Sequence, residues 1–214
     1  MIGFIGGTGP EGRGLALRFA MAGESVMIGS RDAGRATDAA ASITAIRPGL
    51  PVTGGLNEQV ASDSDIVFVA VPYSGHRPTL ESLRDALDGK LIVDVVAPLA
   101  FSRGVARAVT PESGSAAEEA QQILANCPVV GAFHNLSAEE LLEPDTVIDA
   151  DVVVCADDTA AKTRVMELAE LIASVRAVDG GGLANSRYVE NLTALLININ
   201  RIYRAHSTIK IVGI

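Results

Sequence analysis

The chain contains no tryptophan, and aromatic residues of all kinds make up only 4% of it. Cysteine occurs twice, at Cys127 and Cys155, too sparsely for a disulfide framework or a zinc site. Cys155 closes the apolar run Val152-Val153-Val154, so a buried free thiol is expected there. Positive charge is scarce as well, with 17 Lys and Arg against 26 Asp and Glu, a formal net charge of −9. That balance argues against a nucleic-acid partner, because phosphate backbones demand a basic face. No apolar run approaches the ~20 residues of a membrane span, so no membrane partner is expected either. With a strand already under way at Ile2, the sequence leaves no room for a targeting peptide and reads as cytoplasmic.

What is present is a globular composition, 48% hydrophobic and 20% charged. Apolar strand-like runs alternate with helical stretches. The strand candidates are 2–6, 25–29, 52–54, 65–71, 90–95, 129–133, 152–156 and 177–179, and the intervening helices are 32–46, 74–87, 116–125 and 159–173. This alternation is the pattern of an α/β protein with a doubly wound, mostly parallel sheet and ligands at the carboxyl ends of its strands. Residues 1–179 would form that domain. Gly180-Gly181-Gly182 then punctuates the chain, and residues 184–206 read as one long amphipathic helix, a C-terminal extension over 180–214 suited to a second cleft wall or a subunit interface. A homo-oligomer is the expectation.

The first strand flows into Gly7-Thr8-Gly9-Pro10-Glu11-Gly12, a G-x-G-x-x-G pattern in the strand-to-helix setting that gives it meaning. Gly7 permits the tight turn, Gly9 lets the backbone approach a pyrophosphate, and Gly12 lets the helix pack on the strand. The site is therefore of the Rossmann dinucleotide type. About twenty residues on, where an NAD site places an acidic residue, the second strand ends in Gly29-Ser30-Arg31, with Arg35 one helical turn further. A hydroxyl and two guanidinium groups suit the 2′-phosphate of NADP. Asp32 is discordant there and is read as the cap of the helix that follows.

Candidates for the rest of the cleft are strand-end residues. Val71 and Pro72 end one strand, and the nearby His76 reads as a surface residue. His134 directly follows 129–133, with Leu136 in the same corner. On the last helix, positions 187, 190, 191 and 194 share one side, which offers Arg187 and Asn191 to the cleft. No nucleophilic triad or metal-ligand cluster is evident.

Taken together, Gly6-Gly7-Thr8-Gly9-x-x-Gly12-x-Gly14-Leu15-Ala16, Gly29-Ser30-Arg31, Val71-Pro72-Tyr73, Ala132-Phe133-His134 and Asn185-Ser186-Arg187-x-Val189-Glu190-x-Leu192-Thr193 resemble the NADPH-dependent coenzyme F420 reductases, also called F420H2:NADP oxidoreductases, from end to end. The resemblance implies reversible hydride transfer between NADP(H) and the deazaflavin coenzyme F420, with both cofactors as small-molecule substrates. It implies Thr8, Ser30, Arg31 and Arg35 around the 2′-phosphate, and His134, Leu136 and Thr193 beside the deazaflavin. Asn191 and Leu136 depart from the serine and isoleucine common in that family. Two other readings use the same nucleotide module: an NADPH-dependent reductase of a flavin or ferric acceptor, and a non-catalytic NADP(H) sensor.

Overall fold

A computed structural model describes all residues, 1–214. Its elements in chain order begin β1 (Ile2–Ile5), α1 (Pro10–Met21), β2 (Val26–Ser30), α2 (Ala33–Ile46), β3 (Val52–Leu56), α3 (Asn57–Asp63), β4 (Ile66–Val69), α4 (Tyr73–Leu87) and β5 (Leu91–Asp94). A hairpin follows, β6 (Leu99–Ser102) and β7 (Val105–Ala108), then α5 (Ala116–Ile123), β8 (Val129–Gly131), α6 (Ala138–Leu142), β9 (Ala150–Ala156), α7 (Thr159–Glu170), β10 (Val175–Asp179) and α8 (Ser186–Tyr203).

Eight strands form one sheet in the order β10-β9-β8-β5-β4-β1-β2-β3. All neighbours run parallel except β8 and β9. The mostly parallel, doubly wound expectation therefore holds. The chain turns outward in opposite directions from β1, towards β2 and β3 on one side and β4 and β5 on the other, and the crevice at that reversal is where such sheets bind ligands. Because both faces are covered, the central strands are apolar throughout: Ile2, Phe4, Ile5, Val67, Phe68 and Val69 are all buried. Phe4, Phe19, Phe68 and Phe133 cluster in one core layer, so four of the five phenylalanines pack together and hold α1 and the β8 exit against the sheet.

Asp32 caps α2, its carboxylate accepting the N–H of Arg35 at 3.0 Å. Periodicity did not announce the hairpin, α3 or α6. The hairpin turns through Arg103 and Gly104, both at positive φ, and an arginine in a turn of that kind lacks the Asn-Gly or Asp-Gly signature. Helices of seven and five residues carry too little repeat to be seen. Both cysteines are buried and free, and burial pushes the Cys155 thiol up to about 11. No helix is long and apolar enough to cross a membrane.

Candidate functional site

The carboxyl ends of β1, β2, β4, β5 and β8 open under α8 onto a cavity of about 1160 Å³. That exceeds the ~300–1,000 Å³ of an ordinary small-ligand site and leaves room for two large molecules.

At one end the fingerprint turn is shaped by packing. A Cβ on Gly7 would lie 2.5 Å from the Phe4 Cβ, and one on Gly12 would lie 2.6 Å from the Gly7 Cα. A Cβ on Gly9 would meet nothing within 4 Å, because Gly9 faces the open cavity. Gly9 is also the N-cap of α1, with no side chain capping the helix, so the first N–H groups of α1 are left for a ligand. Asn57, at the start of α3, steadies this turn by accepting the N–H of Gly6 at 3.1 Å.

Further along the same rim, Ser30 is buried with its hydroxyl accepting the N–H of Asp32 at 3.2 Å. Arg31 and Arg35 stand exposed on the rim without a carboxylate partner, since the Asp32 side chain is occupied by its cap. Two unpaired guanidinium groups beside a hydroxyl are the donor set a phosphate monoester needs. Thr8, Gly9 and Gly12 border the cavity between this corner and its centre.

The other end is walled by Val71 and Pro72 after β4, Val95 and Val96 after β5, His134 and Leu136 after β8, and Thr193 with Leu196 and Ile197 on α8. His134 is buried, and neither ring nitrogen has a protein partner. Burial pushes its pKa down to about 4, so the imidazole is neutral across the physiological range. Thr193 donates its hydroxyl to the His134 carbonyl at 2.9 Å, which ties α8 to the β8 exit. The preceding Phe133 sits at φ 69°, a left-handed conformation that is strained for a bulky residue and re-aims the chain at this point.

Three residues differ from the sequence expectation. His76 is not at the surface: it is fully buried, and its Nε2 lies 2.7 Å from the Asp94 carboxylate at the end of β5. Asp94 in turn accepts the N–H of Val96 at 3.0 Å, so the pair braces the cavity wall from behind. Arg187 and Asn191 do not line the cavity. Arg187 is paired with Glu118 at 3.0 Å, and Asn191 is exposed elsewhere on α8. Their side of α8 turns towards α5, where buried Glu190 accepts the N–H groups of Ala116 and Ala117 at 2.9 and 3.2 Å. The helix forms where its periodicity indicates, but it turns Thr193, Leu196, Ile197 and Asn200 to the cavity instead. Gly7 shapes the turn without itself bordering the cavity.

Sequence reasoning also missed the chain after α8. Asn200 accepts the N–H of Ser207 at 2.6 Å, and buried Asn135 donates to the Asp151 carbonyl at 2.8 Å and the Thr208 hydroxyl at 3.2 Å. These bonds fold residues 204–207 over the cavity as part of its wall. No periodicity marks such a segment.

A doubly wound sheet, a fingerprint turn facing an open cavity and a corner with free guanidinium groups mark a dinucleotide-binding protein suited to NADP. Its relatives place it among the NADP-dependent oxidoreductases. Residues 1–98 match the model of the family described as NADP oxidoreductase, coenzyme F420-dependent. The F420-dependent NADP reductase of Methanothermobacter thermautotrophicus is 43% identical over 205 residues, covering 93% of this chain and 88% of that protein. A crystal structure of a putative F420-dependent NADP-reductase from an Arthrobacter species superposes with a TM-score of 0.79 at 27% identity, covering 96% of this chain and 95% of that one. The rat metalloreductase STEAP3 is 32% identical over 89% of this chain but only 36% of its own length. The chain belongs to the family of coenzyme F420-dependent NADP oxidoreductases.

Proposed function

We infer that the protein transfers a hydride reversibly between NADP(H) and coenzyme F420, and that the single cavity binds both. The observation that carries this reading is the continuity of the cavity from the unpaired Arg31 and Arg35 to the unpartnered ring of His134. When bound, the nicotinamide C4 and the deazaflavin C5 exchange the hydride, with a solvent proton completing the reduced deazaflavin. The protein then has to hold two rings face to face and exclude water, which requires no nucleophile and no metal. Gly9 and the start of α1 would hold the pyrophosphate, while Thr8, Ser30, Arg31 and Arg35 would hold the 2′-phosphate. Val71 and Pro72 would border the nicotinamide, and His134, Leu136 and Thr193 the deazaflavin. In this reading residues 180–214 act as an extension whose helix closes the cleft.

The direct test is anaerobic mixing of the protein with NADP and reduced deazaflavin while following the deazaflavin absorbance. Transfer is expected in both directions, and failure in both would overturn the reading. The likeness to a metalloreductase gives a reason to offer free flavins and ferric chelates in parallel. Faster turnover with those acceptors would favour the alternative, whereas tight NADPH binding without turnover on any acceptor would make the protein a sensor.

Arg31→Ala should weaken NADPH far more than NADH. One lost charge-assisted hydrogen bond to phosphate costs about 1.5–3 kcal/mol, roughly ten to a hundredfold in affinity. Equal losses for both nucleotides in a fluorescence titration would put the 2′-phosphate elsewhere.

A homo-oligomer is supported by α8, whose outer side exposes Tyr188 (68%), Leu195 (55%), Ile202 (72%) and Tyr203 (74%). Large apolar side chains grouped on one helix face mark an association surface. Leu195→Glu together with Tyr203→Glu should shift the protein to a smaller species in sedimentation equilibrium, and an unchanged mass would remove α8 from the interface. A cytoplasmic setting is consistent with two buried cysteines in the free form.

A further inference from the structure

Glu11 occupies the second position of α1, within the fingerprint turn, where it borders the cavity beside Gly9 and Pro10. Its Oε1 is shielded from solvent yet has no hydrogen-bond partner. An acidic side chain on a first helical turn is ordinarily stabilised by the positive end of the helix dipole. Here the same N–H groups are the ones a dinucleotide diphosphate would take, and an ionised carboxylate beside that diphosphate would be repelled by it.

The elements around Glu11 supply no compensating cation. Arg13 on α1 reaches Ser42 on α2, and Arg18 is occupied by the carbonyls of Glu140, Leu141 and Glu143. Glu139 on α6 is paired with His206 at 3.4 Å. None of the other charged side chains on the neighbouring segments, Arg31, Asp32, Arg35, Asp38, Glu140, Glu143 and Arg204 among them, is hydrogen-bonded to the shielded oxygen.

We propose that Glu11 binds the dinucleotide as a neutral carboxylic acid, its O–H donating to a diphosphate oxygen, so that in alkaline solution nucleotide binding is coupled to the uptake of one proton. This rests on the NADP reading and deepens it at a position outside the three glycines. Burial alone pushes the Glu11 carboxyl up to about 8, which leaves it protonated at neutral pH and ionised in more alkaline solution. The incoming diphosphate raises that value further. Free protein above pH 8 must therefore take a proton from solvent before or as the nucleotide binds.

The test is calorimetric titration of the protein with NADPH and with NADH between pH 6.5 and 9.5, on the unaltered chain and on Glu11→Gln. For the unaltered chain the affinity should be flat up to about pH 8 and then fall by up to about tenfold per pH unit. At the alkaline end, proton uptake should appear as a binding enthalpy that varies with the ionisation enthalpy of the buffer. Glu11→Gln, which keeps a donor and cannot ionise, should show a flat profile and no buffer dependence. NADH should show the same slope as NADPH, because the diphosphate is common to both. A flat profile for the unaltered chain with NADPH still bound would overturn the Glu11 role and leave the cofactor reading standing. A slope confined to NADPH would move the titrating group to the 2′-phosphate corner and also overturn it. No binding of either nucleotide at any pH would overturn both readings together.

Discussion

Gly9→Val should abolish NADPH binding while the protein remains folded. In the structure nothing lies within 4 Å of a Cβ at this position, and the Gly9 backbone, at φ −73° and ψ 168°, is extended and open to any L-residue. The substitution therefore meets no clash in the free protein. Its branched side chain would instead occupy the space in front of the α1 N-terminus that the diphosphate must enter. Circular dichroism and melting temperature should be nearly unchanged, with NADPH affinity reduced by a thousandfold or about 4 kcal/mol and more. Retained binding would remove the fingerprint from the cofactor site. The contrasting control is Gly12→Val, where the new Cβ would lie 2.6 Å from backbone at Gly7, so that variant should lose stability as well as binding.

The second large effect belongs to the opposite end of the cavity. His134→Ala and Thr193→Ala should each slow single-turnover hydride transfer, on the order of a hundredfold, while leaving the NADPH dissociation constant almost unchanged. The His134 ring contributes a wall and two unpartnered nitrogens, and Thr193 holds that residue's backbone through its hydroxyl. Hydride transfer is steep in geometry, so a shift of about 1 Å in the acceptor ring suffices for a loss of this size. Because burial holds the imidazole neutral down to about pH 4, the rate attributable to His134 should not titrate between pH 5 and 9. Thr193→Ser, which keeps the hydroxyl, should recover most of the rate. A lowered melting temperature with an unchanged transfer rate in both alanine variants would show a packing role only and move the deazaflavin to another wall.

His76 and Arg187 illustrate where sequence reading stops. A histidine seven residues past the end of β4 looks solvent-facing, and nothing within its own helix predicts the carboxylate 2.7 Å away on β5, eighteen positions later. Arg187 stands at the start of a long helix, but the group it meets is Glu118, brought from α5 by the packing of the two helices, and not a ligand in the cleft. A period of 3.6 identifies faces of a helix but not which face meets which neighbour.

The sequence by itself determined the alternating fold, the fingerprint turn, the cap at Asp32 and the choice of Ser30 and Arg31 over an acidic strand end. Each of these is local, written in residues within a turn or a strand of one another, where backbone conformation and near-neighbour chemistry decide the outcome. Tertiary structure alone decided the rotation of α8, the burial of His76 against Asp94, the docking of residues 204–207 over the cavity and the shielding of one Glu11 carboxyl oxygen. These depend on contacts between distant segments and on the exclusion of water, and the free energy of a buried polar group is set by what surrounds it rather than by its position in the chain.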